Sequence, residues 1–94
     1  MTFADYLTAK GFTQTTVYNC RQWLKHVFSK GVTEEEIATM NRGTAGLRAI
    51  YERHGVEMPP ANTLYNQSYA ADHYHMYLKS LHQTMSDAEK EMKL

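Results

Sequence analysis

The sequence predicts an all-α fold, a small bundle of four to five helices with a long C-terminal helix. Three observations carry this expectation. Apolar residues recur at three- and four-residue spacing along most of the chain, while the period-two alternation of β-branched residues that marks strands is missing. Residues of good helix propensity are plentiful. The two prolines, Pro59 and Pro60, stand side by side, so glycines and capping threonines mark the other helix ends.

The 94 residues suit one domain, able to bury a core without disulfides or metals but with little stability to spare. Ten Lys and Arg balance ten Asp and Glu, so any affinity for nucleic acid must come from a local basic surface. The single cysteine, Cys20, has no partner for a disulfide and no zinc-type spacing around it, which suits a reducing compartment and a cytoplasmic location. No apolar run is long enough to cross a bilayer and the N-terminus lacks the pattern of an export signal, so no membrane partner is expected.

The first helix spans Thr2 to Lys10, with Phe3, Leu7 and Tyr6 toward one face, Thr2 as cap and Asp5 in the first turn. Gly11 ends it. Thr13 caps the second helix, which closes at Gly31, and the stretch Thr13 to Gly31 reads as the organising element of the fold. Its stripe of Val17, Cys20, Leu24, Val27 and Phe28 has the spacing of one buried face. Thr33-Glu34-Glu35-Glu36 is a capping box, in which hydroxyl and carboxylate each bond the other residue's amide. The helix it opens turns Ile37 and Met40 inward and meets a break or kink at Asn41-Arg42-Gly43-Thr44. From Ala45 to His54, Leu47, Ile50 and Tyr51 line one face, and Gly55 stops the helix.

Val56 to Pro60 reads as an extended connector, because each proline disfavours the α conformation in the residue before it. Beyond it, Leu64, Ala71, Tyr74, Leu78, Leu81, Met85, Ala88 and Met92 form a heptad-like seam in which Gln67 is the polar exception. A second capping box, Ser86-Asp87-Ala88-Glu89, allows this helix to stop near Thr84 and restart. One short echo runs through the chain: Val17-Tyr18-Asn19 and Leu64-Tyr65-Asn66, each with a threonine just upstream.

Asp72, His73, His75 and His82 invite a metal hypothesis, but on one helix they do not converge, and no metal or other cofactor is expected. None of the nucleophile, zinc-protease or phosphate-loop motifs occurs, which argues against an enzyme. Charge distribution is more informative. From Tyr6 through Thr33 there is no Asp or Glu, while Lys10, Arg21, Lys25, Lys30 and His26 are spread along the segment. Arg21 and Lys25 are helical neighbours with Tyr18, Asn19 and Gln22 around them, a face able to hold phosphate and hydrogen-bond sugar or base edges, or else simply a solvated positive face. On the last helix Tyr65, Tyr69 and Met76 share a face away from the seam, and with Tyr77 they are candidates for contact with a protein partner or a second copy.

Phe3, Tyr6-Leu7 and Gly11, then Thr16-Val17 with Leu24 and Val27, resemble the opening of the N-terminal core-binding, SAM-like domain of tyrosine recombinases, the phage-integrase class. Asn41-Arg42 and Leu47-Arg48-Ala49-Ile50-Tyr51 are similar in spacing to the last helix of that domain, so the resemblance covers residues 1–55 and leaves 61–94 as a C-terminal helical extension. The resemblance implies a helical domain that clasps duplex DNA, and it nominates Thr16, Arg42 and Arg48 beside Arg21 and Lys25 as DNA-facing. Cys20 stands where that family usually has an aromatic residue, the interval from Gly31 to Asn41 is short for its third helix, and no HxxR motif is present, so recombinase cutting is not implied. Two readings follow: a non-enzymatic DNA-associated helical domain, or a protein-interaction module of phage or mobile-element type that uses the Tyr/Met-rich C-terminal helix.

Overall fold

The structure, a computed structural model, describes residues 1–81 with their side chains and residues 82–92 as helical backbone. Five helices follow one another: α1 (Phe3–Ala9), α2 (Gln14–Ser29), α3 (Glu34–Thr39), α4 (Thr44–Arg53) and α5 (Ala61–Met92). No strand occurs among the described residues. The all-α class and the long last helix are as expected, and the break at Asn41–Gly43 separates α3 from α4. The capping box at Ser86–Glu89 and the seam residues Met85, Ala88 and Met92 lie outside the residues whose side chains are described.

Local chemistry sets the helix ends. The Thr2 hydroxyl accepts from the Asp5 amide at 3.1 Å and the Asp5 carboxylate accepts from the Thr2 amide at 3.2 Å. Thr33 and Glu36 make the same reciprocal pair at 3.1 and 3.0 Å. Helices of seven and six residues are too short to persist alone, so α1 and α3 depend on these caps and on packing. The stops at Gly11, Gly31 and Gly55 fall where the sequence places them.

Packing makes α5, not α2, the organising element. α5 lies against each of the other four helices, and among the described residues α1 with α2 is the only other substantial helix pair. The buried stripe of α2 is as expected, with Phe28 half-buried at its edge. A hub must be apolar over a wide arc, and α5 is: Leu64, Gln67, Ser68, Ala70, Ala71 and Tyr77 are buried, with Tyr74 and Leu78 packed against them. Leu81, at the end of the described seam, is 40% exposed. Residues 61–81 are therefore part of the core itself, and the connector helps to fix them through the half-buried Val56 and Met58.

The polar exception in the seam has a partner. Tyr51, fully buried on α4, donates its hydroxyl to Gln67 Oε1 at 2.6 Å, and burial pushes the Tyr51 phenol up to about 12. Around the other flank of α5, Phe3, Tyr6, Phe28, Tyr74 and Tyr77 form a cluster of edge-on and tilted rings with centroids 5.2 to 5.7 Å apart. The tyrosine-rich helix thus divides: Tyr74 and Tyr77 serve the core, while Tyr65 and Tyr69 lie toward the surface.

The α3–α4 link is held from α5. The Gly43 amide donates to both Asp72 carboxylate oxygens, at 3.0 and 3.1 Å, at a backbone conformation (φ +86°) that suits glycine. No side chain caps α4, and Asp72 places its negative charge at that helix start instead. One turn later Gly46 is buried against the backbone of Asn41, where a side chain has no room.

Candidate functional site

α2 presents two flanks on either side of its buried stripe, and the nominated DNA-facing residues divide between them. Arg21 and Lys25 are exposed on the flank toward α1 and line a groove of about 420 Å³ with Thr2, Phe3, Ala4, Leu24 and Phe28. Neither makes an ion pair among the described residues. Between the flanks the outward face of α2 carries Tyr18, 61% exposed, with the half-buried Gln22 and Asn19 and the exposed His26 and Ser29. No carboxylate occurs anywhere on this helix.

Thr16 is on the opposite flank. It lines a smaller groove of about 220 Å³ between α2 and α5, with Asn19 and Trp23 from α2 and Tyr65, Asn66 and Tyr69 from α5. The two segments that echo each other in the sequence meet here. The wall is a chain of edge-on rings: Trp23 against Tyr69 (centroids 6.3 Å), Tyr69 against His73 (4.6 Å) and His73 against Phe12 (5.0 Å). Burial pushes the His73 imidazole below its ordinary range; the Asp72 carboxylate opposes that shift and the Arg42 guanidinium adds to it. Arg42 itself lines neither groove. It is exposed, immediately before the start of α4, and Arg48 is exposed on that helix. Of the five nominated residues, then, Arg21 and Lys25 share one groove and Thr16 lines the other, while Arg42 and Arg48 line neither.

The partner-binding candidates also separate. Tyr65 is 62% exposed, Tyr69 is half-buried, and Met76 is at the surface beside Tyr6, Lys10 and Lys79. Tyr77 is a correction. Its ring packs on Phe3 and Tyr6 and its hydroxyl donates to the Met1 carbonyl at 2.7 Å, so it is a core residue with no face left for a partner. The sequence of α5 gave no sign of this, because the rings that cover Tyr77 come from the other end of the chain.

The residues raised as metal candidates have separate engagements. Asp72 holds Gly43, His75 Nδ1 donates to the Ile37 carbonyl at 2.8 Å, and His73 is packed between rings. His82 lies outside the described side chains, and among the described residues no group of three or more potential ligands converges. Cys20 is fully buried and burial raises its thiol pKa, so it packs as a small apolar residue. A cleft of about 500 Å³ between α3 and α4 brings together Glu52 and Arg53 but no nucleophile with a base beside it.

Sequence reasoning nominated neither Trp23 nor Asn66 for a site. The available signal was the repeated Tyr-Asn pair, which places Asn19 and Asn66 at matching helical positions. Comparison of the chain with protein-family models, curated proteins and solved structures returns no match. No helix among the described residues is long and apolar enough to cross a membrane.

Proposed function

We propose that this domain binds nucleic acid non-enzymatically, gripping the phosphate backbone of duplex DNA along the outward face of α2. One observation carries the reading: Arg21 and Lys25 stand exposed and without ion pairs among the described residues, on a helix that has no carboxylate, beside exposed Tyr18. Cations neutralise phosphates, and Tyr18, Asn19 and Gln22 supply hydrogen bonds to sugar, phosphate or base edges. The resemblance to a recombinase core-binding domain agrees with this role; it nominates Thr16, Arg42 and Arg48, while the charge distribution makes Arg21 and Lys25 the principal contacts.

Two phosphates, neutralised by Arg21 and Lys25, give a slope of log affinity against log salt of about −1.8, or about 12-fold weaker binding at 200 mM than at 50 mM salt. A fluorescence-anisotropy titration of a 20-base-pair duplex at the two salt concentrations tests this. Arg21→Glu with Lys25→Glu is expected to abolish measurable binding. Unchanged affinity in that variant, or no complex at tens of micromolar protein in low salt, refutes the reading.

A second reading, a protein-interaction module, is favoured by exposed Tyr65, Met76 and Leu81 on α5. Tyr65 and Met76 are about 16 Å apart along the helix axis, at about 1.5 Å per residue, so the three do not make one contiguous patch. Sedimentation of the parent and of a Met76→Glu, Leu81→Glu variant tests it: self-association lost in the variant supports this reading, and a monomer in both counts against self-association through α5.

A further inference from the structure

We propose that the groove between α2 and α5 takes a single unpaired nucleobase, stacked on the Trp23–Tyr69 wall beneath Tyr65, with Asn19 and Asn66 meeting its hydrogen-bonding edge. The proposal rests on the nucleic-acid reading above and says what the domain prefers once phosphate has brought the strand to it. Three features of the groove point there.

The first is the character of the lining. All six lining residues are aromatic, amide or hydroxyl side chains, and none is Leu, Ile, Val or Met. An amphipathic partner helix seats aliphatic anchors in an aliphatic floor. This groove has none. A planar heterocycle instead uses aromatic faces for stacking and amides for its polar edge.

The second is the unspent hydrogen-bonding capacity. Asn19 and Asn66 are half-buried in the lining, and neither side-chain amide has a hydrogen-bond partner among the described residues. Each amide offers a donor and an acceptor side by side, the pattern that matches the N6 and N7 positions of adenine. The volume, about 220 Å³, is the space of about seven waters at roughly 30 Å³ each, which suits one base.

The third is rigidity on one side with freedom on the other. Tyr69 is braced between Trp23 and His73, so its wall is formed before anything binds. Tyr65 has no aromatic partner among the described residues and is 62% exposed, which leaves its ring able to close over a base.

Trp23 is the protein's one tryptophan, so its emission reports on this groove alone. The full chain is titrated at low salt with a deoxyadenosine hexamer and with an abasic hexamer of the same backbone, reading Trp23 emission and the anisotropy of labelled oligomer. The adenine hexamer is expected to quench Trp23 and to bind roughly tenfold tighter than the abasic backbone, as for one stacked base. Tyr65→Ala, at an exposed position, and Asn66→Ala, at a half-buried one whose amide makes no hydrogen bond among the described residues, are expected to remove that preference while leaving abasic binding and the melting temperature unchanged. Equal binding of both oligomers without quenching overturns the base site and leaves the phosphate grip standing. Binding of neither overturns the base site, and the duplex titration above decides the phosphate grip separately. A Trp23 shift that depends on protein concentration alone also overturns the proposal, because a second copy then covers the groove.

Discussion

Gly46→Ala gives the sharpest test of how the α3–α4 corner is built. In an ordinary helix interior this exchange stabilises by about 1 kcal/mol, because alanine restricts the unfolded chain and favours the helix. Here a Cβ at position 46 would sit 1.7 Å from the Asn41 carbonyl oxygen and 2.6 Å from its carbon. Both atoms are backbone, so no rotamer change relieves the overlap. The link is also pinned on either side: the Met40 amide bonds the Ile37 carbonyl, and the Gly43 amide is held by Asp72 on the hub helix. Relief requires α4 to move off the link, which would disturb the packing of fully buried Leu47 and Tyr51. Overpacking of a fixed core costs about 3 kcal/mol at the upper end of the usual range, and less the propensity gain of about 1 the net loss is about 2 kcal/mol. For a domain of this size that lowers the melting temperature by about 8–16 °C. Thermal and urea unfolding followed by circular dichroism read the effect, with Ala49→Gly on the exposed side of α4 as a control expected to cost about 1 kcal/mol. A Gly46→Ala protein that melts at or above the parent refutes the close approach.

Three further outcomes follow from the same packing. Tyr51→Phe leaves Gln67 Oε1 buried without its donor and is expected to cost about 1–3 kcal/mol in urea unfolding; adding Gln67→Leu should recover much of the loss, and a neutral single variant would contradict the bond. The Thr33 amide, and next the His54 ring, hold the Glu36 carboxyl below its ordinary range. The stabilisation is therefore present above about pH 4.5 and is lost as pH falls through the folded value. Glu36→Gln should flatten the acid limb of a melting-temperature profile between about pH 5 and 3, with Asp5, lowered in the same direction by the Thr2 amide, still contributing. An unchanged limb would remove Glu36 from the account. Residues 1–60 expressed alone are expected to show no cooperative melt, because α3 and α4 are held to α1 and α2 mainly across α5; a cooperative transition in that fragment would show that the segment resembling a core-binding domain stands by itself.

The five elements were legible because their signals are local. A threonine with a carboxylate three residues on forms a cap whatever lies elsewhere, and a glycine after the last apolar position stops a helix by its own backbone freedom. The buried stripe of α2 followed from periodicity for the same reason: one helix defines its own faces. The candidate surfaces were legible only in pieces. Arg21 and Lys25 share a flank because they are four apart on one helix, whereas Thr16, nominated with them through the resemblance, lies on the other side of that helix. Tyr65 and Tyr77 look alike in sequence, and their separation into surface and core depends on α1, whose Met1 carbonyl and Phe3 and Tyr6 rings cover Tyr77 from far along the chain.

By itself, then, the sequence determined the all-α class, where each helix begins and which side of each is apolar, since hydrogen bonding and side-chain period act within a few residues. Only the tertiary structure decided that α5 is the hub, that Gln67 is buried against Tyr51, that Asp72 holds the start of α4, and that Asn19 and Asn66 line one groove. Each of these joins residues distant in the chain, and which apolar faces meet is a choice made by the whole core at once. A helical period describes a face and leaves open what will cover it.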